Sequence, residues 1–390
     1  MDRRRGWELL GVTTGAFFVT MVARLAPSPL VPDVMAAFSV SKGQVGLALT
    51  GMWAAYALFQ FPGGVVADRI GTRRVILSAL VGTGVGSLLL AAAPSFALFA
   101  VLAVTLGAGA GLYYPSGTAF LTEQFRDTGR ALGVHEIGAA SAGVVAPTAA
   151  VLAANRFGWR AGLLVPTVLA AVVAVLFYFR VPPTPPADPD ATLAEQLEVG
   201  RLAALFSRPT IVLTAVVAMI GYFSFQSFSS FFPTFLVEHV EVTTAQASLA
   251  FGGVFVVTVV GAPALGRVSD RLGRDPVMAA SMLVGGVAFA VFLTAEGLVA
   301  LVVGTVLLGA GLSWPGVLNS RFMDHLDAGE RGTGFGLVRT IVLLVGSLGS
   351  VVTGTIADVA GWLPAFGLVA GLLGAVVVLL TVNRVFGLGA

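Results

Sequence analysis

The chain has 390 residues, of which 57 % are hydrophobic and only 11 % charged, and its mean hydropathy is +0.93. A water-facing surface on a chain of this length needs about 25 % charged residues, so a soluble multidomain protein is excluded. The net charge of +2 is scattered and forms no basic face for nucleic acid, and the absence of Cys removes disulfides, thiolate metal sites and cysteine nucleophiles.

About twelve apolar stretches are long enough to cross the bilayer core as helices, which predicts an all-α polytopic membrane protein. The first, 8–37, follows Arg3, Arg4 and Arg5 and is too long for a signal-peptide core, so it is read as a retained span. Arg24 lies near its middle, where an arginine costs roughly 2.5–3.5 kcal/mol even on a mild insertion scale. Pro27, Pro29 and Pro32 follow and predict a broken or bent helix. An arginine kept in that setting reads as an anion-binding residue; the competing reading is that it snorkels to the outer surface.

The second span, 44–66, runs into Asp68-Arg69-Ile70-Gly71-Thr72-Arg73-Arg74, and the third covers 75–93. The fourth, 96–121, contains Gly107-x-Gly109-x-Gly111 followed by Tyr113-Tyr114-Pro115. Glycines inside an apolar helix point to close helix packing rather than to a phosphate cradle. His135 and Glu136 lie near the start of the fifth span, 131–155, where Glu136 reads either as a carboxyl that takes up and releases a proton or as the structural partner of a loop arginine such as Arg130. The sixth span is 160–179, and after it Val-Pro-Pro-Thr-Pro-Pro opens the only long break. That spacer, with an amphipathic stretch over 192–206, forms a linker over 181–209 between two six-helix halves, 1–180 and 210–390.

The second half repeats the pattern with spans at 210–236, 246–266, 276–294, 298–320, 333–357 and 363–383. At a shift of about 200 residues, Asp270-Arg271-Leu272-Gly273-Arg274 matches the Asp68 block, and Gly309-Ala310-Gly311-Leu312-Ser313-Trp314-Pro315 matches the Gly109 block. Glu123 with Arg130 and Asp324 with Arg331 share one spacing, and Gly158-Trp159 has its copy in Gly361-Trp362. Most of the 22 basic residues fall in alternate breaks, which places both termini in the cytoplasm of a cell membrane.

This duplicated set resembles the major facilitator superfamily along essentially the whole chain. The resemblance implies two pseudo-symmetric six-helix halves and secondary transport by alternating access. It also implies a cytoplasmic gate network of Asp68, Arg69, Arg73, Glu123, Arg130, Asp270, Arg271, Arg274, Asp324 and Arg331. In that fold the first, fourth, seventh and tenth spans line the cavity. Substrate contacts are therefore expected from Arg24, Tyr113, Tyr114, Gln226, Trp314 and Asn319, with Arg339 added from the eleventh span. Glu136 and His135 are the proton-coupling candidates.

Arg24 in its setting is similar to the first span of anion symporters and organophosphate antiporters, although the seventh span has no matching arginine. The expected function is transport of a small organic anion, coupled to protons, by a monomer in the lipid bilayer. The alternative is proton-linked efflux of drugs or metabolites. No cofactor or metal is expected, and with three His, no Cys and no His-Glu-x-x-His motif the chain does not read as an enzyme.

Overall fold

The computed structural model describes residues 3–193, 199–327 and 333–387, and among them there is no strand. The chain divides into two compact units, one of Met1–Val40 with Leu47–Leu197 and the other of Ser41–Gly46 with Glu198–Ala390. The first unit contains α1 (Arg3–Leu25), α2 (Val31–Phe38), most of α3 (Lys42–Ile70), α4 (Thr72–Ala91), α5 (Phe96–Gly111), α6 (Tyr113–Gln124), α7 (Thr128–Phe157) and α8 (Trp159–Arg180). The second contains α9 (Val199–Phe206), α10 (Pro209–Glu238), α11 (Thr244–Leu272), α12 (Arg274–Thr294), α13 (Gly297–Gly311), α14 (Pro315–His325), α15 (Thr333–Ala360) and α16 (Trp362–Phe386). Residues 194–198 of the amphipathic stretch lie outside the described residues, and α9 covers its remainder.

Eleven described segments are long and apolar enough to cross a membrane. The twelfth expected span, the 29-residue α3, falls outside that set because its apolar surface is interrupted by Gln44, Thr50, Trp53, Tyr56 and Gln60. Large apolar side chains stand on the outside of both units, among them Val101, Leu152, Val260 and Val299 at 60–77 % exposure. Water would not tolerate so much exposed apolar surface, whereas lipid requires it.

Three of the spans are discontinuous. The first breaks after Leu25, where Pro27 and Pro29 leave only a 3₁₀ turn over Ser28–Leu30 before α2. The fourth and tenth break at Leu112 and over Leu312–Trp314, just before Pro115 and Pro315. A proline lacks the amide that the helix needs and crowds the carbonyl four residues back, here Gly111 and Gly311. The two breaks thus occur at corresponding places of the repeat.

The repeat also governs packing. In the first unit α1 packs on α7, and α4 packs on α8 and α5; in the second α10 packs on α15, and α12 packs on α16 and α13. Gly71 and Gly273 hold φ of +94° and +92° at the turns before α4 and α12, a backbone region that side-chain-bearing residues rarely enter. Around Gly71 there is no room either, because a Cβ there would meet the Thr184 carbonyl oxygen.

The glycine run of the fourth span faces Gly82 of α4, and a Cβ on Gly109 would lie 3.0 Å from the Gly82 backbone. At Gly107 it would overlap the Met52 carbonyl. Gly107→Val is therefore expected to cost about 1–3 kcal/mol or more of stability, read as a lowered thermal midpoint of the purified protein. Gly133→Ala, on α7 with nothing within 4 Å of the added carbon, is the control and should be neutral or slightly stabilising. Equal loss in both variants would refute the packing role of the glycine run.

Candidate functional site

Arg24 occupies the last turn of α1, because the prolines end that helix one residue later. A cation there meets the negative end of the helix dipole, which offsets part of the cost of holding it inside a span. Its side chain is 3 % exposed, so it does not snorkel out. Nε donates to the Thr20 carbonyl at 3.1 Å. The guanidinium carbon lies 3.8 Å from the centre of the Tyr56 ring and 5.0 Å from that of Trp53. The two rings are perpendicular, 5.9 Å apart. Trp53, Tyr56 and Gln60 recur at positions i, i+3 and i+7 of α3 and share one helical face. Stacking on an aromatic face orients a guanidinium and leaves its charge in place. Gln60 Nε2 is buried on that same face without a hydrogen-bond partner. The arrangement sets a positive charge and a spare amide donor beside two aromatic faces, chemistry that suits a carboxylate or sulfonate.

A second polar centre lies where α1, α6 and α7 meet. Tyr113 begins α6 directly after the Leu112 break, and its hydroxyl donates to the Thr13 carbonyl oxygen at 2.5 Å and lies 2.9 Å from His135 Nε2. Phe17 stacks on the His135 ring at 4.5 Å between centroids. One residue further along both helices, the Tyr114 hydroxyl donates to Glu136 Oε1 at 3.2 Å. Tyr113 and His135 are fully buried, whereas Tyr114 is partly exposed and Glu136 exposed. Successive helix positions point about 100° apart, so the two neighbours separate into a buried rung and an open rung.

The other expected substrate contacts fall into two groups. Trp314 is buried, edge to face with Tyr222 at 5.1 Å and against Gly221, and Gln226 is buried with its carbonyl oxygen accepting from Ser229 at 3.1 Å. Together with Tyr113 they serve the packing of their own unit in this structure. Asn319 on α14 and Arg339 on α15 keep partial exposure. Tyr222, half-exposed beside Trp314, was not singled out by the sequence, since a tyrosine in an apolar helix carries no distinguishing pattern.

The duplicated charge blocks behave differently in the two units. In the second, Arg274 binds Asp270 at 2.5 Å, Asp324 at 3.1 Å and the Ser269 hydroxyl at 2.9 Å. Arg271 points outward, and Arg331 lies outside the described residues.

In the first unit Arg73 is held by backbone carbonyls. Its Nε and Nη2 donate to the carbonyls of Val181 and Tyr178 at 2.7 Å each, where the end of α8 leaves acceptors unsatisfied. The proline-rich segment after α8 is held there by Arg73 N donating to Thr184 Oγ1 and by Asp188 N donating to the Asp68 carbonyl. Arg130 lies over the Trp7 ring at 5.4 Å, and Arg69 and Glu123 are exposed.

Two charged clusters were not anticipated. Arg321, read from sequence as a loop charge, is 2 % exposed on α14. It makes a two-point contact with Asp275 at the start of α12, at 2.6 and 3.3 Å, and reaches the Thr214 hydroxyl and the Thr210 carbonyl. Within Ser41–Gly46, the Asp358 carboxylate accepts from the amides of Lys42 and Gly43 at 3.0 and 2.7 Å and so caps the start of α3. Lys42 pairs with Glu238 at 3.0 Å, and Glu238 also accepts from the Trp362 indole.

Residues 13–241 and 214–386 match the family model described as Major Facilitator Superfamily. The chain is 24 % identical over 377 residues to the hexuronate transporter of Bacillus subtilis, covering 90 % of this chain and 88 % of that one. It is 26 % identical over 280 residues to a protein of Cupriavidus necator named "Probable sulfoacetate transporter SauU", covering 68 % and 65 %. Among solved structures it superposes on the nucleoside transporter NupG with a TM-score of 0.82 at 16 % identity, covering 96 % and 99 %. A bacterial homologue of the human lysosomal transporter Spinster gives 0.79 at 17 % identity, covering 99 % and 97 %. At those identities the structural likeness speaks for the fold alone.

Proposed function

The chain belongs to the major facilitator superfamily of secondary transporters, and from that premise we propose that it moves a small organic anion across the cell membrane by alternating access, with a proton exchanged at Glu136. The observation that carries this reading is Arg24, a buried arginine in a membrane span laid against two aromatic faces. A charge kept there at such cost serves a negative partner, and the guanidinium fork matches a carboxylate or sulfonate. Arg24 holds the anionic group, with Gln60 beside it. The seventh span, uncharged from Thr210 to Val237, lacks the arginine expected of organophosphate antiporters, which argues against phosphate esters. The names of the hexuronate and sulfoacetate relatives fit the same class. Both termini are cytoplasmic in this reading, and the protein works as a monomer in the bilayer.

A second reading, proton-linked drug efflux, is favoured by the likeness to the multidrug resistance protein MdtG of Escherichia fergusonii. That match is 26 % identical over 229 residues, covering 56 % of this chain and 54 % of that one. Ligand charge separates the two readings. Thermal unfolding of the purified protein is measured with glucuronate, sulfoacetate, glucose and a lipophilic cation. A ligand bound only by the folded state adds about 2.7 kcal/mol at a hundred times its Kd. Glucuronate or sulfoacetate should raise the midpoint and glucose should not. Stabilisation by the cation alone, or equal stabilisation by glucose and glucuronate, would overturn the anion reading.

A further inference from the structure

The buried centre around Tyr113 admits one placement of its hydrogens. A hydroxyl has a single proton to give and a carbonyl has none, so the 2.5 Å contact with Thr13 takes the Tyr113 hydrogen. The 2.9 Å contact with His135 must then draw its hydrogen from the ring, which makes Nε2 the protonated nitrogen. Nδ1 is left bare, and it is buried without a hydrogen-bond partner. A second proton on this imidazole would sit on Nδ1 as a buried donor with no acceptor, on a ring that is fully buried and stacked nearly parallel to Phe17.

The rings facing the imidazole are Phe17 from α1 and Tyr113 and Tyr114 from α6, and the Thr13 carbonyl lies behind them on the Tyr113 hydroxyl. The carboxylate nearest in sequence, Glu136, is the next residue of α7 and turns to the open side, where Tyr114 meets it. Tyr113–His135 and Tyr114–Glu136 are thus two successive rungs between the same pair of helices.

We propose that His135 is a positioning residue, a neutral Nε2-protonated strut that fixes Tyr113 between α1 and α7 and thereby holds Tyr114 against Glu136, leaving Glu136 alone to carry the coupling proton. The proposal rests on the reading of Glu136 as the proton-exchanging carboxyl. The strut assigns distinct tasks to two adjacent ionisable residues: one sets geometry and the other changes charge.

Histidine labelled with ¹³C and ¹⁵N gives only three ring systems in the intact chain, and replacing His239 and His325 leaves the signal of His135. Between about pH 5 and 8, where an ordinary histidine titrates, His135 should show one Nε2-protonated neutral form. An imidazolium signal or the other tautomer in that range overturns the assignment. The infrared band of a protonated Glu136 carboxyl, identified by its loss in Glu136→Gln, reports the second half of the proposal. His135→Gln, which keeps an N–H donor towards Tyr113, should titrate this band at the wild-type midpoint, and His135→Leu should displace it. An unmoved midpoint in His135→Leu reduces His135 to a space-filling role and refutes the positioning claim. If no band disappears in Glu136→Gln, the coupling assignment of Glu136 fails while the histidine tautomer stands or falls on its own spectrum.

Discussion

Arg24→Ala is expected to abolish stabilisation by glucuronate or sulfoacetate and to weaken binding by about 2 kcal/mol or more, which is over an order of magnitude in Kd. The size of the effect follows from burial. An exposed arginine loses most of its pull on an anion to solvent, whereas this one lies among Trp53, Tyr56 and the end of α1. Removing it would leave a desolvated anion with the Gln60 amide for company and no charge to face.

Arg24→Lys should fail nearly as badly. A lysine keeps the charge but lacks the flat guanidinium that lies on Tyr56 at 3.8 Å and the Nε–H that Thr20 accepts. The measurement is the ligand-induced shift in thermal midpoint, together with uptake into proteoliposomes, in protein whose unliganded midpoint is checked first. If both variants retain the anion response of the wild type, Arg24 is a structural cation and the substrate's charge is met elsewhere.

The largest loss of stability is expected from Asp275→Ala. Asp275 is the carboxylate partner of Arg321, whose side chain is 3 % exposed. Taking it away removes the two-point carboxylate contact of a buried guanidinium inside the second unit. Breaking a buried pair from one side costs about 3–5 kcal/mol, a large part of the stability of an ordinary domain. The Thr214 hydroxyl and Thr210 carbonyl that also bind Arg321 are neutral and cannot replace the charge.

The double variant Asp275→Ala with Arg321→Met should recover most of the loss, because an apolar side chain of similar length needs no partner there. Thermal unfolding in detergent decides the matter. A double variant no more stable than Asp275→Ala alone would show that Arg321 contributes chiefly through packing of its methylenes. Arg274, with Asp270 and Asp324 more exposed around it, should give a much smaller change on truncation.

The transmembrane architecture was legible because a bilayer leaves few alternatives. A backbone in hydrocarbon must satisfy its own hydrogen bonds, so an apolar stretch of sufficient length becomes a helix whatever its neighbours do. Observed helices such as Trp159–Arg180 and Arg274–Thr294 accordingly fall within a few residues of the expected spans. The break after Leu25 was likewise written in the prolines that follow it, whereas the fourth and tenth spans, read as continuous, break before Pro115 and Pro315. The repeat was legible from short blocks of glycine and charge, and the two units realise it as the same helix pairings.

Which charged residue does what was not legible in the same way. Arg321 and Arg73 look alike in sequence, each a basic residue beside the end of a span. One is buried against Asp275, and the other is fastened to the last carbonyls of α8. That difference depends on which helix ends come together, and no local pattern encodes it. Tyr113 and Tyr114 are identical neighbours, yet a rotation of about 100° puts one in the core and the other beside Glu136.

By itself, then, the sequence determined the membrane class, the number and order of the spans, the duplication and the presence of a costly arginine in the first span, because each follows from local transfer energy and helix-breaking chemistry. Only the tertiary structure decided that Arg24 lies on Tyr56, that His135 meets the Tyr113 hydroxyl, and that Asp275 rather than a loop carboxylate pairs with Arg321. Those facts turn on distances of a few ångströms between helices far apart in the chain, set by how side chains interlock and not by what any one segment prefers.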